Sequence, residues 1–243
     1  MLISICSVTY YRKACVKEWL TNLDNSLEHD KFDYEILIHD NNSQDGTFDF
    51  LEDFAKDKDY IKVNKTSENI GKPRALNESF SKCSGEYFVS SDSDIVVKPG
   101  WTTELVSIMQ EHDNIGLLSP FYEHNCNDPF TEYSKVKNLM GDLDLFYFQK
   151  HFGCNVAGGF IIMPAKVFWN VGAYNVQGVY GGNDARLNLA MVDKGYECAY
   201  TSRAYVEHLP PSASLTDYES WKKGVLIELR KDNSYEVSKG FWD

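Results

Sequence analysis

Along the first half of the chain, short apolar runs alternate with stretches whose apolar residues recur at helical spacing. Leu2 to Val8 reads as a strand, and Val16, Trp19, Leu20, Leu23 and Leu27 then share one face of a helix. Tyr34 to Ile38 predicts a second strand. It runs into His39-Asp40-Asn41-Asn42-Ser43-Gln44-Asp45-Gly46-Thr47, a loop rich in turn formers, and Phe48, Leu51, Phe54 and Ala55 mark the next helix. Tyr60 to Val63 is a short third strand, Asn69 to Lys82 a loop and helix with Leu76 and Phe80 inward, and Glu86 to Ser91 a fourth strand. Such alternation predicts an α/β domain with a mostly parallel central sheet covered on both faces and ligands at the carboxyl ends of its strands.

The second half is less regular. Ile115 to Ser119 predicts a strand, residues 121 to 156 irregular structure with a short helix, and Gly158 to Met163 another strand. Short helices follow at Ala165 to Val171 and Asp184 to Gly195, then a strand over residues 198 to 208 and an amphipathic helix from Thr216 to Lys231. A long irregular insertion is where substrate contacts are expected. No repeat, low-complexity tract or flexible linker divides the chain, so residues 1–243 read as one domain.

Composition narrows the partners. A chain of 243 residues with 43% hydrophobic residues buries a substantial core. Its formal charge of -12 repels nucleic acid and anionic lipid, so a phosphate-bearing ligand needs a local cation. No apolar run approaches the roughly 20 residues that span a bilayer, which leads to the expectation of a cytoplasmic chain. The six cysteines, at 6, 15, 83, 126, 154 and 198, form no Cys-x-x-Cys pair and read as reduced core residues.

Candidate chemistry concentrates at Asp92-Ser93-Asp94, where the fourth strand opens into a loop. Two carboxylates two residues apart repel unless a cation, a hydrogen-bond shell or a proton intervenes, and such hard oxygens suit a divalent ion that carries phosphates. Alone, the pattern also fits a strand-ending turn. Asp40 ends the second strand and can accept hydrogen bonds from uracil N3–H or the guanine N1–H/N2–H edge, a match adenine does not offer. Gly71 allows close backbone approach before a helix start, and Arg74 is the favoured cation for a diphosphate there.

Five ordered segments resemble the family 2 nucleotide-sugar glycosyltransferases, which have the GT-A fold. They are Ser4 to Tyr10, Asp40 to Thr47, Asn69-Ile70-Gly71 through Arg74 and Asn77, Asp92-Ser93-Asp94 with Pro99-Gly100, and Gly158-Gly159-Phe160 followed by Gly181-Gly182-Asn183-Asp184. The resemblance implies a nucleotide-binding half over about residues 1–120, an acceptor-binding half over about 121–215 and a helical tail over about 216–243. It implies nucleotide contacts at Thr9, Tyr10, Asp40, Asn69, Gly71, Arg74, Asp92 and Ser93. Asp94 and His208 would hold Mn2+ or Mg2+, with Asp92 in the ion's water shell, and Gly159 and Asn183 would face the sugar or acceptor. Asp184 would be the general base of an inverting transfer from a nucleotide diphosphate sugar, UDP first and GDP next, to a hydroxyl-bearing glycan or glycoconjugate. Relatives carry an acidic pair where this chain has Asn183-Asp184. That departure keeps a noncatalytic sugar-nucleotide binder in view. Asp92-Ser93-Asp94 also resembles the opening motif of aspartyl-phosphate phosphatases, which leaves the other segments unexplained.

Overall fold

Strand β1 (Leu2–Thr9) has Ile3, Ser4, Ile5, Cys6 and Ser7 all fully buried, so both of its faces need cover. In this computed structural model, which describes residues 1–123, 144–147, 156, 158–176 and 183–209, helices supply that cover. β1 pairs in parallel with β2 (Asp33–Asp40) and β4 (Tyr87–Ser91), and β2 in parallel with β3 (Ile61–Lys65). The connecting helices are α1 (Lys13–Asn25), α2 (Thr47–Ala55) and α3 (Lys72–Phe80). Residue alternation on β4 shows the two layers. Phe88 stacks on Phe80 of α3 at 4.6 Å, whereas Ser91, three residues on and therefore on the opposite face, accepts a 3.0 Å hydrogen bond from the buried Trp19 Nε1 of α1.

After β4 the chain makes the short β5 (Ile95–Val97), α4 (Trp101–Glu111), β6 (Ile115–Glu123), β7 (Leu145–Tyr147) and β8 (Phe160–Pro164). Helices α5 (Ala165–Asn170) and α6 (Asn183–Asp193) lead to the long β9 (Glu197–His208). The sheet order is β3-β2-β1-β4-β8-β6-β9-β5, with β7 also on β9. The expected parallel sheet thus holds from β3 to β4. Beyond it pairing is mixed, with β8 antiparallel to both β4 and β6 while β6 and β9 are parallel.

Three elements escaped the periodicity reading: α4, β5 and β7. Helix α4 begins after Gly100, whose φ of 88° suits glycine, and buries Trp101, Leu105, Ile108 and Met109 at helical spacing. β5 is only three residues long and forms because β9 is long enough to serve two partners. β7 takes Ala199 to Thr201 and β5 takes Val206 to His208. The expected irregular stretch over 121 to 156 contains the end of β6 and the strand β7. Residues 124–143 and 148–155 of that stretch, the Gly181-Gly182 pair and the expected helix from Thr216 to Lys231 lie outside the described residues. Among the described residues no helix is long and apolar enough to cross a membrane, and Cys6, Cys15, Cys83 and Cys198 are free thiols.

Candidate active site

The carboxyl ends of β1, β2 and β4 lie side by side, so Thr9, Asp40 and Asp92 arrive at one edge of the sheet. Asp40 is fully buried. Its Oδ1 accepts from Thr9 Oγ1 at 3.0 Å and Ser43 Oγ at 2.5 Å, and its Oδ2 accepts from Ser43 N at 2.9 Å. Ser43 Oγ also accepts from Tyr11 N at 2.7 Å, which ties the loop after β1 to the loop after β2. Asp45 extends the link by accepting from Lys13 N at 3.0 Å and Thr47 N at 3.1 Å, the first amides of α1 and α2. Tyr10 is half-buried, lies edge-on to Tyr11 at 4.7 Å and hydrogen-bonds the side chain of Asn69. Asn69 Oδ1 in turn accepts from Gly71 N at 2.9 Å, and Gly71 has a φ of 83° that turns the chain into α3.

Lysine and arginine part company at the start of α3. Lys72 lies three and four residues before the buried Ala75 and Leu76, on the face turned to the sheet, and its Nζ meets Asp92 Oδ1 at 2.5 Å. Arg74 is turned about 200° from it around the helix. Its Nε pairs with Glu78 at 3.1 Å on a side where the Arg74 side chain is 58% exposed. The structure therefore does not bring Arg74 to Asp92 and Asp94; Lys72 occupies that place. Burial lowers the Lys72 pKa, but the Asp92 and Asp184 carboxylates outweigh it and leave the ammonium firmly charged. Loss of solvation pushes Asp92 up to about 6, with Lys72 pulling it back and Asp94 pushing it further up.

Asp94 is turned the other way. Its Oδ2 meets Arg12 Nη1 at 2.6 Å and lies 3.7 Å from His208 Nε2. The β5–β9 pairing makes this meeting: Ile95 is in register with His208, and Leu209 N donates to Asp94 O at 2.7 Å. His208 Nδ1 sits 3.1 Å from Leu209 O, and a carbonyl only accepts, so Nδ1 carries the proton. In the neutral ring, Nε2 then presents a lone pair toward a carboxylate oxygen. Two such donor atoms, one oxygen and one imidazole nitrogen, fit a shared divalent cation and suit Mn2+ well. Among the described residues no group of three His, Cys, Asp or Glu side chains is close enough to hold a metal ion alone. Ser93 lies half-buried between the two acids.

On the far side of the site, Asp92 N donates to Gly159 O at 2.6 Å, which fastens the β4–β5 loop to the turn before β8. Gly159 thus contributes its backbone. A Cβ there would stand 2.7 Å from the Tyr122 hydroxyl, which accepts from Phe160 N at 2.9 Å. Gly158 packs still closer to Asp184, for a Cβ on it would fall 2.0 Å from Asp184 Oδ1. Asp184 and Asn183 begin α6, and the Oδ1 atoms of both are buried with no hydrogen-bond partner among the described residues. Asn188 fixes this end of the helix by donating to Asp184 O at 2.8 Å and Val156 O at 3.0 Å. Asn77 does the same for Tyr174, exchanging two hydrogen bonds of 2.8 and 3.0 Å with its backbone. The buried Tyr174 hydroxyl has its pKa raised by burial and by Asp184, which places phenol, carboxylate and Lys72 within one electrostatic cluster.

The profile of Glycosyl transferase family 2 matches residues 4–172. The chain belongs to glycosyl transferase family 2. This family 2 chain is 23% identical over 238 residues to the poly-beta-1,6-N-acetyl-D-glucosamine synthase of Staphylococcus epidermidis, covering 92% of this chain and 53% of that one. It spans about half or less of the length of the curated relatives it matches. The fold is similar to that of the mannosyltransferase PcManGT of Pyrobaculum calidifontis in complex with GDP-Man and Mn2+, with a TM-score of 0.68 at 18% identity, over 90% of this chain and 59% of that one. S. aureus TarS 1-349 in complex with UDP-GlcNAc gives 0.66 at 15% identity, over 90% and 62%. The family 2 chain has the GT-A fold of these glycosyltransferases.

Arg12 and Lys72 are the two site residues that motif reading passed over. Helical phase held the signal for Lys72, since it falls on the face of Ala75 and Leu76 and Arg74 does not. For Arg12 the signal was its place just past the carboxyl end of the central strand.

Proposed function

We propose that this chain is a metal-dependent, inverting glycosyltransferase that moves a sugar from a nucleotide diphosphate sugar to a hydroxyl of a glycan or glycoconjugate. The observation that carries the reading is the convergence of Asp94 Oδ2 and His208 Nε2, 3.7 Å apart, beside two half-buried cations, Arg12 and Lys72, at the carboxyl ends of the parallel strands. Asp94 and His208 would hold Mn2+ or Mg2+, with Asp92 beside them. When bound, the ion neutralises charge that develops on the diphosphate leaving group.

The protein's own groups supply the rest. Lys72 and Arg12 offer cationic hydrogen-bond donors to phosphate oxygens. Tyr10 packs on the base, and Asn69 with Gly71 shapes the turn beneath the phosphates. Asp40 is the group we assign to a base N–H, uracil being the first choice and guanine the next; in the ligand-free protein its oxygens are held by Thr9 and Ser43. Neighbours of this fold with UDP-GlcNAc and with GDP-Man are consistent with both. The Asp184 carboxylate takes the proton of the acceptor hydroxyl as that oxygen attacks the anomeric carbon from the side opposite the departing diphosphate. A buried carboxylate oxygen without a partner is costly, and a use in the reaction accounts for it. The same point weighs against a noncatalytic binder. Asn183 Oδ1, also without a partner among the described residues, is assigned to an acceptor hydroxyl, and Gly159 contributes its carbonyl to the loop that carries Asp92.

A panel of UDP, GDP, CDP and dTDP sugars, assayed with Mn2+ for nucleoside diphosphate release, tests the reading. Release from a UDP or GDP sugar that Asp184→Asn abolishes is expected, with the product anomer inverted by NMR. Phosphate release from simple phosphomonoesters instead would overturn it.

A further inference from the structure

Arg12 stands where a cation is needed. Its Nη1 is 2.6 Å from Asp94 Oδ2, and the two side chains are only 13% and 12% exposed. The backbone that puts it there is unusual, because Tyr11 and Arg12 both have left-handed φ values, 57° and 68°. Two successive non-glycine residues in that region are strained and persist only where the surroundings over-determine them. Here the flanking amides do so, Tyr11 N on Ser43 Oγ and Lys13 N on Asp45 Oδ2. The strained turn swings the guanidinium back from the start of α1 to the loop after β4.

We propose that Arg12 is a placeholder cation, which holds the divalent-ion position at Asp94 until a nucleotide diphosphate arrives. The inference rests on the metal reading given above. A guanidinium and a divalent ion on one carboxylate repel each other, so an ion that enters alone must displace Arg12 from a largely buried pair. A diphosphate changes that balance, since its oxygens give Arg12 a new bidentate partner while they complete the ion's shell. Metal and nucleotide therefore bind with positive coupling, and the coupling is reciprocal. Lys72 on Asp92 makes the parallel exchange at the neighbouring acid.

The test is Mn2+ binding, followed by the loss of the free-ion EPR signal, with and without UDP or GDP, in the wild type, Arg12→Gln and Arg12→Gly. Glycine tolerates the left-handed backbone, which keeps the second variant folded. Without nucleotide, both variants should bind Mn2+ about tenfold tighter than the wild type, because the competing buried pair is gone. The nucleotide's enhancement of Mn2+ affinity, large in the wild type, should shrink in both. Equal Mn2+ affinities in all three proteins without nucleotide, or weaker binding in the variants, would overturn the placeholder role while nucleotide-assisted Mn2+ binding leaves the metal reading standing. Absence of Mn2+ binding in every protein even with nucleotide would remove both.

Discussion

Replacing Gly158 by alanine tests the placement of the base with a single methyl group. Its Cβ would lie 2.0 Å from Asp184 Oδ1, 2.1 Å from Cγ and 2.6 Å from Oδ2. Real Cβ contacts stay beyond 3.0 Å, so the carboxylate must retreat by about 1 Å (3.0 − 2.0). The helix does not yield as a body, since Asn188 clamps Asp184 O and Val156 together. The Asp184 side chain rotates instead. That movement costs little folding energy but takes the base out of line with its proton, and a displacement of this size lowers kcat about 100-fold. Because the donor contacts lie across the site, KM for the sugar nucleotide should change little. Steady-state release of nucleoside diphosphate from the best donor measures kcat, and thermal melting confirms the fold. A folded Gly158→Ala enzyme with kcat within threefold of wild type would refute this placement of Asp184.

Two further outcomes follow from the same geometry. Lys72→Ala should weaken UDP or GDP binding by about 10- to 100-fold, because it removes a buried charge partner, whereas Arg74→Ala should stay within about twofold, its exposed pair with Glu78 being worth only some tenths of a kcal/mol; isothermal titration of both variants decides between them. His39 is fully buried, has no hydrogen-bond partner for either ring nitrogen among the described residues, and has its pKa lowered by burial, with Glu78, Lys82 and Asp40 as lesser influences. The unfolded chain takes up that proton first, so the His39 contribution is complete above about pH 6.5 and is lost as pH falls below it, by at most about 1.4 kcal/mol per pH unit. Urea unfolding at pH 7.5 and 5.5 should show a steeper loss in the wild type than in His39→Phe; identical losses would contradict the assignment.

The parallel half of the fold was legible because buried strands and amphipathic helices leave two distinct periodicities. β1 to β4 and their helices lie where those patterns put them, to within a few residues. Helix α4 carried a legible signal that was not used, since Trp101, Leu105 and Ile108 recur at helical spacing just after Pro99-Gly100. β5 was not legible from its own three residues, because it exists only through pairing with β9, more than a hundred positions away. The site divides along the same line. Asp92, Asp94 and Asp184 stand in local patterns, whereas the meeting of Asp94 with Arg12 and His208 is made by tertiary pairing. Reading the charge at Arg74 without its helical phase did not show that Lys72, rather than Arg74, lies against Asp92.

The central claim is that Asp94 links a divalent ion to nucleotide binding. Its most direct test is the melting temperature of wild type and Asp94→Ala with UDP or GDP, each in the presence and absence of Mn2+. At a nucleotide concentration near 100 times Kd, ligand binding adds about 2.7 kcal/mol of stability, a rise of roughly 5–10 °C for a chain of this size. The account predicts that wild type shows this rise only with Mn2+ and that Asp94→Ala, compared with its own ligand-free melting point, shows none. A Mn2+-dependent rise of wild-type size in Asp94→Ala would contradict it.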